Sequence, residues 1–143
     1  MKNLFILTVF AGVIAFASSC GQKLKESQVP AAAKTAFQKQ YPGTKATWEK
    51  ENGKYEVNFN QNGVTMSAII DENGTIVETE SDIATNELPQ EVQTYVKEHY
   101  AGATIKEASK IVTSTGELTY EALVNGKDVI FDSNGKFIKE VKE

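Results

Sequence analysis

The sequence predicts an α+β fold made of two tandem α-β-β-β-β repeats, with antiparallel strands and both helices on one face of the sheet. Three observations lead there. Four landmarks recur in the same order: Val29-Pro30 and Leu88-Pro89, Tyr41-Pro42-Gly43 and Tyr100-Ala101-Gly102, Tyr55-Glu56-Val57 and Tyr120-Glu121-Ala122, Asp71-Glu72-Asn73-Gly74 and Asp132-Ser133-Asn134-Gly135. After each proline the apolar residues are spaced for a helix face, and they then change to strict alternation. Glycine-bearing turns separate the alternating runs at hairpin distance, which forces antiparallel neighbours.

The chain opens with Met1-Lys2-Asn3 and then runs apolar from Leu4 to Ala17. A basic start, a short apolar stretch and small residues describe a secretory signal peptide, expected over 1–19. The stretch is short of the roughly 20 residues a spanning helix needs. Ala17-Ser18-Ser19-Cys20 resembles a bacterial lipobox, in which the cysteine thiol takes a diacylglycerol before cleavage. Cys20 is therefore the expected lipidation site, although the usual leucine of that motif is absent. Residues 20–28 are polar and lysine-bearing and read as a lipid-anchored tether. The body then covers 29–143, with repeat one at 29–81 and repeat two at 87–143.

In repeat one, Pro30 suits a helix start because its missing N–H has no partner there anyway. Val29, Ala33, Phe37 and Tyr41 share one helix face, and Pro42-Gly43 ends the helix. A strand around Ala46-Thr47-Trp48 leads to the Asn52-Gly53 turn. Residues 54–60 (KYEVNFN) alternate strictly, and Asn62-Gly63 is a two-residue hairpin signal. Residues 64–70 and 75–79 complete the unit around the Asp71 turn. In repeat two Pro89 opens the helix, with Val92, Val96 and Tyr100 on the buried face. Its strands are expected at 104–113 and 117–124, then between Asn125-Gly126 and the Asp132 loop, and last at 136–141. Helices of about three turns are marginal alone, so they must pack on the sheet. The face opposite them is expected to be the wetter one.

These landmarks together resemble the PepSY-like family with a β-lactamase-inhibitor-protein-like fold. The resemblance runs from about Val29 to Glu143. It rests on the Val/Leu-Pro helix starts, the Tyr-Pro-Gly helix end, the Tyr-Glu-Val strand and the two Asp-x-Asn-Gly hairpins. It implies a secreted or lipid-anchored Bacteroidetes protein whose two units join in one curved antiparallel sheet. It also implies kinship with propeptides that inhibit metalloproteases and with inhibitors that hold β-lactamase on a concave sheet face. Inhibition itself does not follow from shape.

Composition narrows the chemistry. The chain has 143 residues, formal net charge -4, one cysteine and one histidine. An acidic balance with scattered lysines argues against nucleic acid. One cysteine permits no intrachain disulfide, and the cysteine–histidine set is too small for zinc. His99 sits where a helix C-terminus would favour a cation. No nucleophile has a base beside it, so no enzyme and no cofactor are expected. The two Asp-x-Asn-Gly loops lack the further ligands of a calcium loop and read as turns. Trp48 is either core or a partner anchor. Lys54, Glu56, Asn58, Asn60, Thr65 and Ser67, with Thr119 and Glu121, fall on the face opposite the patterned core. That face is either merely solvated or docks a protein or peptide of the cell envelope. The readings left open are a periplasmic binding module held to a membrane by lipid, a structural envelope protein without a discrete partner, and a small-ligand carrier.

Overall fold

Pro30 and Pro89 set both helices. Each proline is extended (ψ 141° and 144°) and the helix starts one residue later, giving α1 Ala31–Gln40 and α2 Gln90–His99. The computed structural model describes residues 21–142, so the expected signal peptide 1–19 and Cys20 lie outside the described residues. The strands are β1 Gln22–Leu24, β2 Ala46–Glu51, β3 Lys54–Gln61, β4 Val64–Ile70, β5 Ile76–Ile83, β6 Glu107–Thr113, β7 Leu118–Val124, β8 Lys127–Asp132 and β9 Phe137–Lys142. They form one nine-stranded sheet in sequential order, every pair antiparallel. Both helices pack on one face of it, α1 over the first cluster of buried residues and α2 over the second.

One expectation needs correction. Residues 22–28 are not a free tether. Gln22–Leu24 pair with β2, and Leu24 lies opposite Trp48 and packs against the first cluster. A single apolar residue in a polar segment gave no alternation to read. The two α-β-β-β-β repeats are otherwise present, α1 with β2–β5 and α2 with β6–β9, and β1 is an added strand ahead of the first. β1 is followed by a short 3-10 turn at Glu26–Gln28, where Gln28 Oε1 accepts the Lys25 amide at 2.8 Å. The end of β5 is followed by an identical turn at Thr85–Glu87, where Glu87 Oε2 accepts the Ala84 amide at 2.7 Å. Leu24 opposite Trp48 corresponds to Ile83 opposite Ala108. Each repeat therefore has a strand ahead of its helix. β5 closes the first unit and stands ahead of the second, which is why it continues to Ile83 rather than stopping at Thr79.

The two cores solve the same packing problem with different residues. In the first, the ring of Phe37 on α1 meets Trp48 edge-on at 5.7 Å and Phe59 at 5.0 Å. In the second, the equivalent helix position is Val96 and the strand positions are Ala108 and Val124. The lost volume returns from elsewhere. Phe131 and Phe137 stand where Ile70 and Ile76 stand in the first unit, with the same pairing and the same bulge beside it. Tyr95 fills the gap between them, 5.5 Å from Phe131 and stacked 5.0 Å from Phe137. Interiors must be filled to near crystal density, so total volume is preserved while identity is not.

The two Asp-x-Asn-Gly loops are structural in the same way. Asp71 Oδ1 accepts the Asn73 and Thr75 amides at 2.9 and 2.8 Å. Asp132 Oδ1 accepts those of Asn134 and Lys136, both at 2.9 Å. Each loop presses on the start of its helix. A Cβ on Gly74 would sit 2.7 Å from the Ala32 carbonyl oxygen, and one on Gly135 would sit 2.8 Å from Glu91 Cβ. Glycine is required at both positions by contact as well as by a φ near +80°.

Candidate functional site

Strand register assigns each side chain to a face, because neighbours along a strand alternate. Tyr55, Val57 and Phe59 point to α1, so Lys54, Glu56, Asn58 and Asn60 point the other way. On that open face three rows run across the strands. Glu56, Ile69, Glu78 and Thr113 form one. Asn58, Ser67, Glu80, Ile111, Thr119 and Asp132 form the second. Asp82, Ser109, Glu121, Ile130 and Lys139 form the third.

This face is drier than the sequence suggested. Ile69, Ile111 and Ile130 are 5%, 2% and 0% exposed, and Glu78, Ser109, Thr119 and Asp128 are buried with them. Neither helix accounts for that burial. Curvature does part of it: Lys54 from β3 and Lys139 from β9 both act on the Glu78 carboxylate of β5, two strands away on one side and four on the other. The sheet is therefore concave here, enough to bring β9 within electrostatic reach of β5.

Electrostatics follow from the burial. Desolvation pushes the Glu78 carboxyl up to about 7, and Glu80 adds repulsion, while Lys54 and Lys139 pull the other way. Glu80 is raised by burial first, against a side-chain hydrogen bond with Ser109, and Asp82 and Asp128 push it further. Glu56 is raised by burial and then by Glu49 and Glu51. The Thr119 Oγ1 on the same face is buried with no hydrogen-bond partner.

Of the residues expected to dock a partner, Lys54, Glu56, Asn58 and Ser67 lie half-buried in this concavity. Asn60 and Thr65 do not. They face each other at the exposed end of the β3–β4 hairpin, and Asn60 Oδ1 accepts the Gly63 amide at 2.9 Å as a turn residue. Sequence reasoning missed Glu78, Glu80 and Asp82, which follow a bulge between Ile69 and Ile70 that disturbs the alternation. It also missed Ile69, Ile111 and Ile130. The consecutive apolar residues Val129-Ile130-Phe131 carried that signal, since such a run marks a strand dry on both sides.

The remaining candidates resolve into structure. Trp48 is 5% exposed within the first core and cannot reach a partner. His99 ends α2 and stacks on Tyr95 at 4.1 Å. A groove of about 680 Å³ between α2 and the β8–β9 loop, lined by Tyr95, Glu98 and Phe137, is open to solvent. Among the described residues no three His, Cys, Asp or Glu side chains converge as metal ligands, and no helix is long and apolar enough to cross a membrane.

No curated protein matches the chain. Solved structures do share its fold. A Bacteroides eggerthii protein described as periplasmic superposes with TM-score 0.72 at 15% identity, over 79% of this chain and 88% of its own. A DUF2874 family protein of Bacteroides uniformis gives 0.70 at 19%, over 79% and 88%. A BLIP-like protein of Bacteroides fragilis gives 0.62 at 23%, over 78% and 85%. The beta-lactamase-inhibitor-like, PepSY-like family matches twice, over residues 18–78 and 54–139. With the repeated architecture and these matches together, the chain belongs to the beta-lactamase-inhibitor-like, PepSY-like family.

Proposed function

We propose that this chain is a non-catalytic exported lipoprotein that binds a protein or peptide of the cell envelope in the concavity of its sheet. The observation that carries the reading is the face opposite α1 and α2, where three isoleucines, two buried carboxylates and an unpartnered hydroxyl lie together. A surface kept only for solubility has no reason to bury such groups. The carrier reading is weaker, because the space between helices and sheet is filled by Phe37, Trp48 and Phe59 in one unit and by Tyr95 and Phe131 in the other. Enzyme inhibition is one form such binding would take.

The periplasm is the proposed compartment. The apolar leader and the relative described as periplasmic both support it. Cys20 is the proposed lipid attachment, and metabolic labelling with a palmitate analogue should mark the wild type and spare Cys20→Ala. Equal labelling of the two would remove the anchor. For binding, the full chain should capture a specific set of envelope proteins from detergent extract. Asn58→Arg with Ser67→Arg, which fills the concavity with two long cations, should lose them. Identical recovery by both forms would place binding elsewhere.

A further inference from the structure

We propose that the occupant of the concavity is a cationic segment of the partner, rich in lysine or arginine. This rests on the binding reading above and names the chemistry of what binds. Glu56, Glu78, Glu80, Asp82, Glu121 and Asp128 all project from the open face, against Lys23, Lys54 and Lys139. The carboxylates are crowded enough to act on one another: Glu80 raises Glu56 and Glu78, and Asp82 and Asp128 raise Glu80. The three lysines on this face therefore leave the acids in excess.

The floor strengthens the attraction. Ile69, Ile111 and Ile130 lie on alternate strands, in successive rows, so they form a diagonal with carboxylates on both sides. An apolar floor lowers the local dielectric and makes each ion pair stronger than at an open surface. A lysine or arginine can rest its methylene stem on isoleucine while its charged head reaches a flanking carboxylate. The second, independent observation is Thr119. Its residue is 3% exposed, it lies between Ile111 and Asp132 in register, and its hydroxyl has no partner. A buried polar group without a partner is rare and costly, and a hydroxyl can accept from an incoming ammonium or guanidinium once side chains part.

The test uses the full chain in neutral detergent, with fluorescein-labelled octalysine and octaglutamate as probes read by anisotropy. Octalysine should bind, and its Kd should rise at least tenfold between low and moderate salt. Octaglutamate should bind at least tenfold more weakly. Glu80→Gln with Asp82→Asn should weaken octalysine at least fivefold. Glu91→Gln with Glu98→Gln removes the same charge from the exposed side of α2 and should leave binding unchanged. Equal binding of the two peptides, or equal loss in both double variants, overturns the proposal, the latter because net charge alone would then explain it. If octalysine fails to bind while Asn58→Arg with Ser67→Arg still abolishes partner capture, the binding module stands and the cationic preference falls.

Discussion

Phe131→Ala should cost about 3–5 kcal/mol of folding stability, the range for emptying a fully buried phenylalanine site. The ring is 0% exposed and joins three parts of the second unit. Tyr95 of α2 meets it edge-on at 5.5 Å and Phe137 of β9 lies 6.3 Å away, while the β7–β8 pairing sets it beside Tyr120. Deletion leaves a cavity between rigid aromatic walls that cannot close by small rotations. Small domains have only about 5–15 kcal/mol in total, so the variant should unfold at a much lower urea concentration. Phe131→Leu should recover most of the loss, because it keeps most of the volume. A deficit below about 1 kcal/mol for the alanine variant would mean that α2 is not held on the sheet by this ring.

How much of this was legible in the sequence depended on periodicity. The helices, the Asn-Gly hairpins and the order of the strands all followed from local signals. Asn52, Asn62 and Asn125 adopt φ of 49°, 54° and 54°, as two-residue turns of that type demand. Two features were not legible, and both have physical causes. β1 is too short to show alternation, and its one informative residue, Leu24, is understood only once Trp48 is placed opposite it. The open face was read mainly through repeat one, where Lys54, Glu56 and Asn58 alternate cleanly, with Thr119 and Glu121 alone from repeat two. Its centre lies on β5 to β8, where the bulge near Ile69 shifts the alternation on β5 and paired apolar residues on β8 serve both faces. Curvature is the decisive missing information. Alternation says which side of a sheet a residue takes, but not that Lys139 of β9 comes within electrostatic reach of Glu78 on β5.

Burial on this face makes Glu78 the residue with the clearest pH signature. Its carboxyl sits at about 7 in the folded protein against 4.5 for the ordinary group. Burial is the main cause and Glu80 the second. Lys54 and Lys139 face it and limit the rise. Between these two values the unfolded chain has already released the proton that the folded chain still holds. Stability on this account is fully present below about pH 4.5 and falls as pH rises through about 7. The loss at full ionisation is on the order of 3 kcal/mol. Glu78→Gln keeps the shape and removes the charge, so it should match the wild type near pH 4 and exceed it at pH 8. Glu56 and Glu80 are shifted in the same direction and will leave part of the decline in place. Asp71 and Glu140 are shifted the opposite way, so what they contribute is lost only as pH falls through the acid range, below this window. The difference between variant and wild type therefore isolates Glu78. Thermal unfolding at pH 4, 6 and 8 would read it directly, and a pH-independent difference would show that the carboxylate is as well hydrated in the fold as in the unfolded chain. The same titration would bear on binding. A concavity whose acids are partly protonated below neutrality should hold a cationic segment less tightly there, so a measured Kd that weakens from pH 8 to pH 6 would tie the stability cost of these carboxylates to their use.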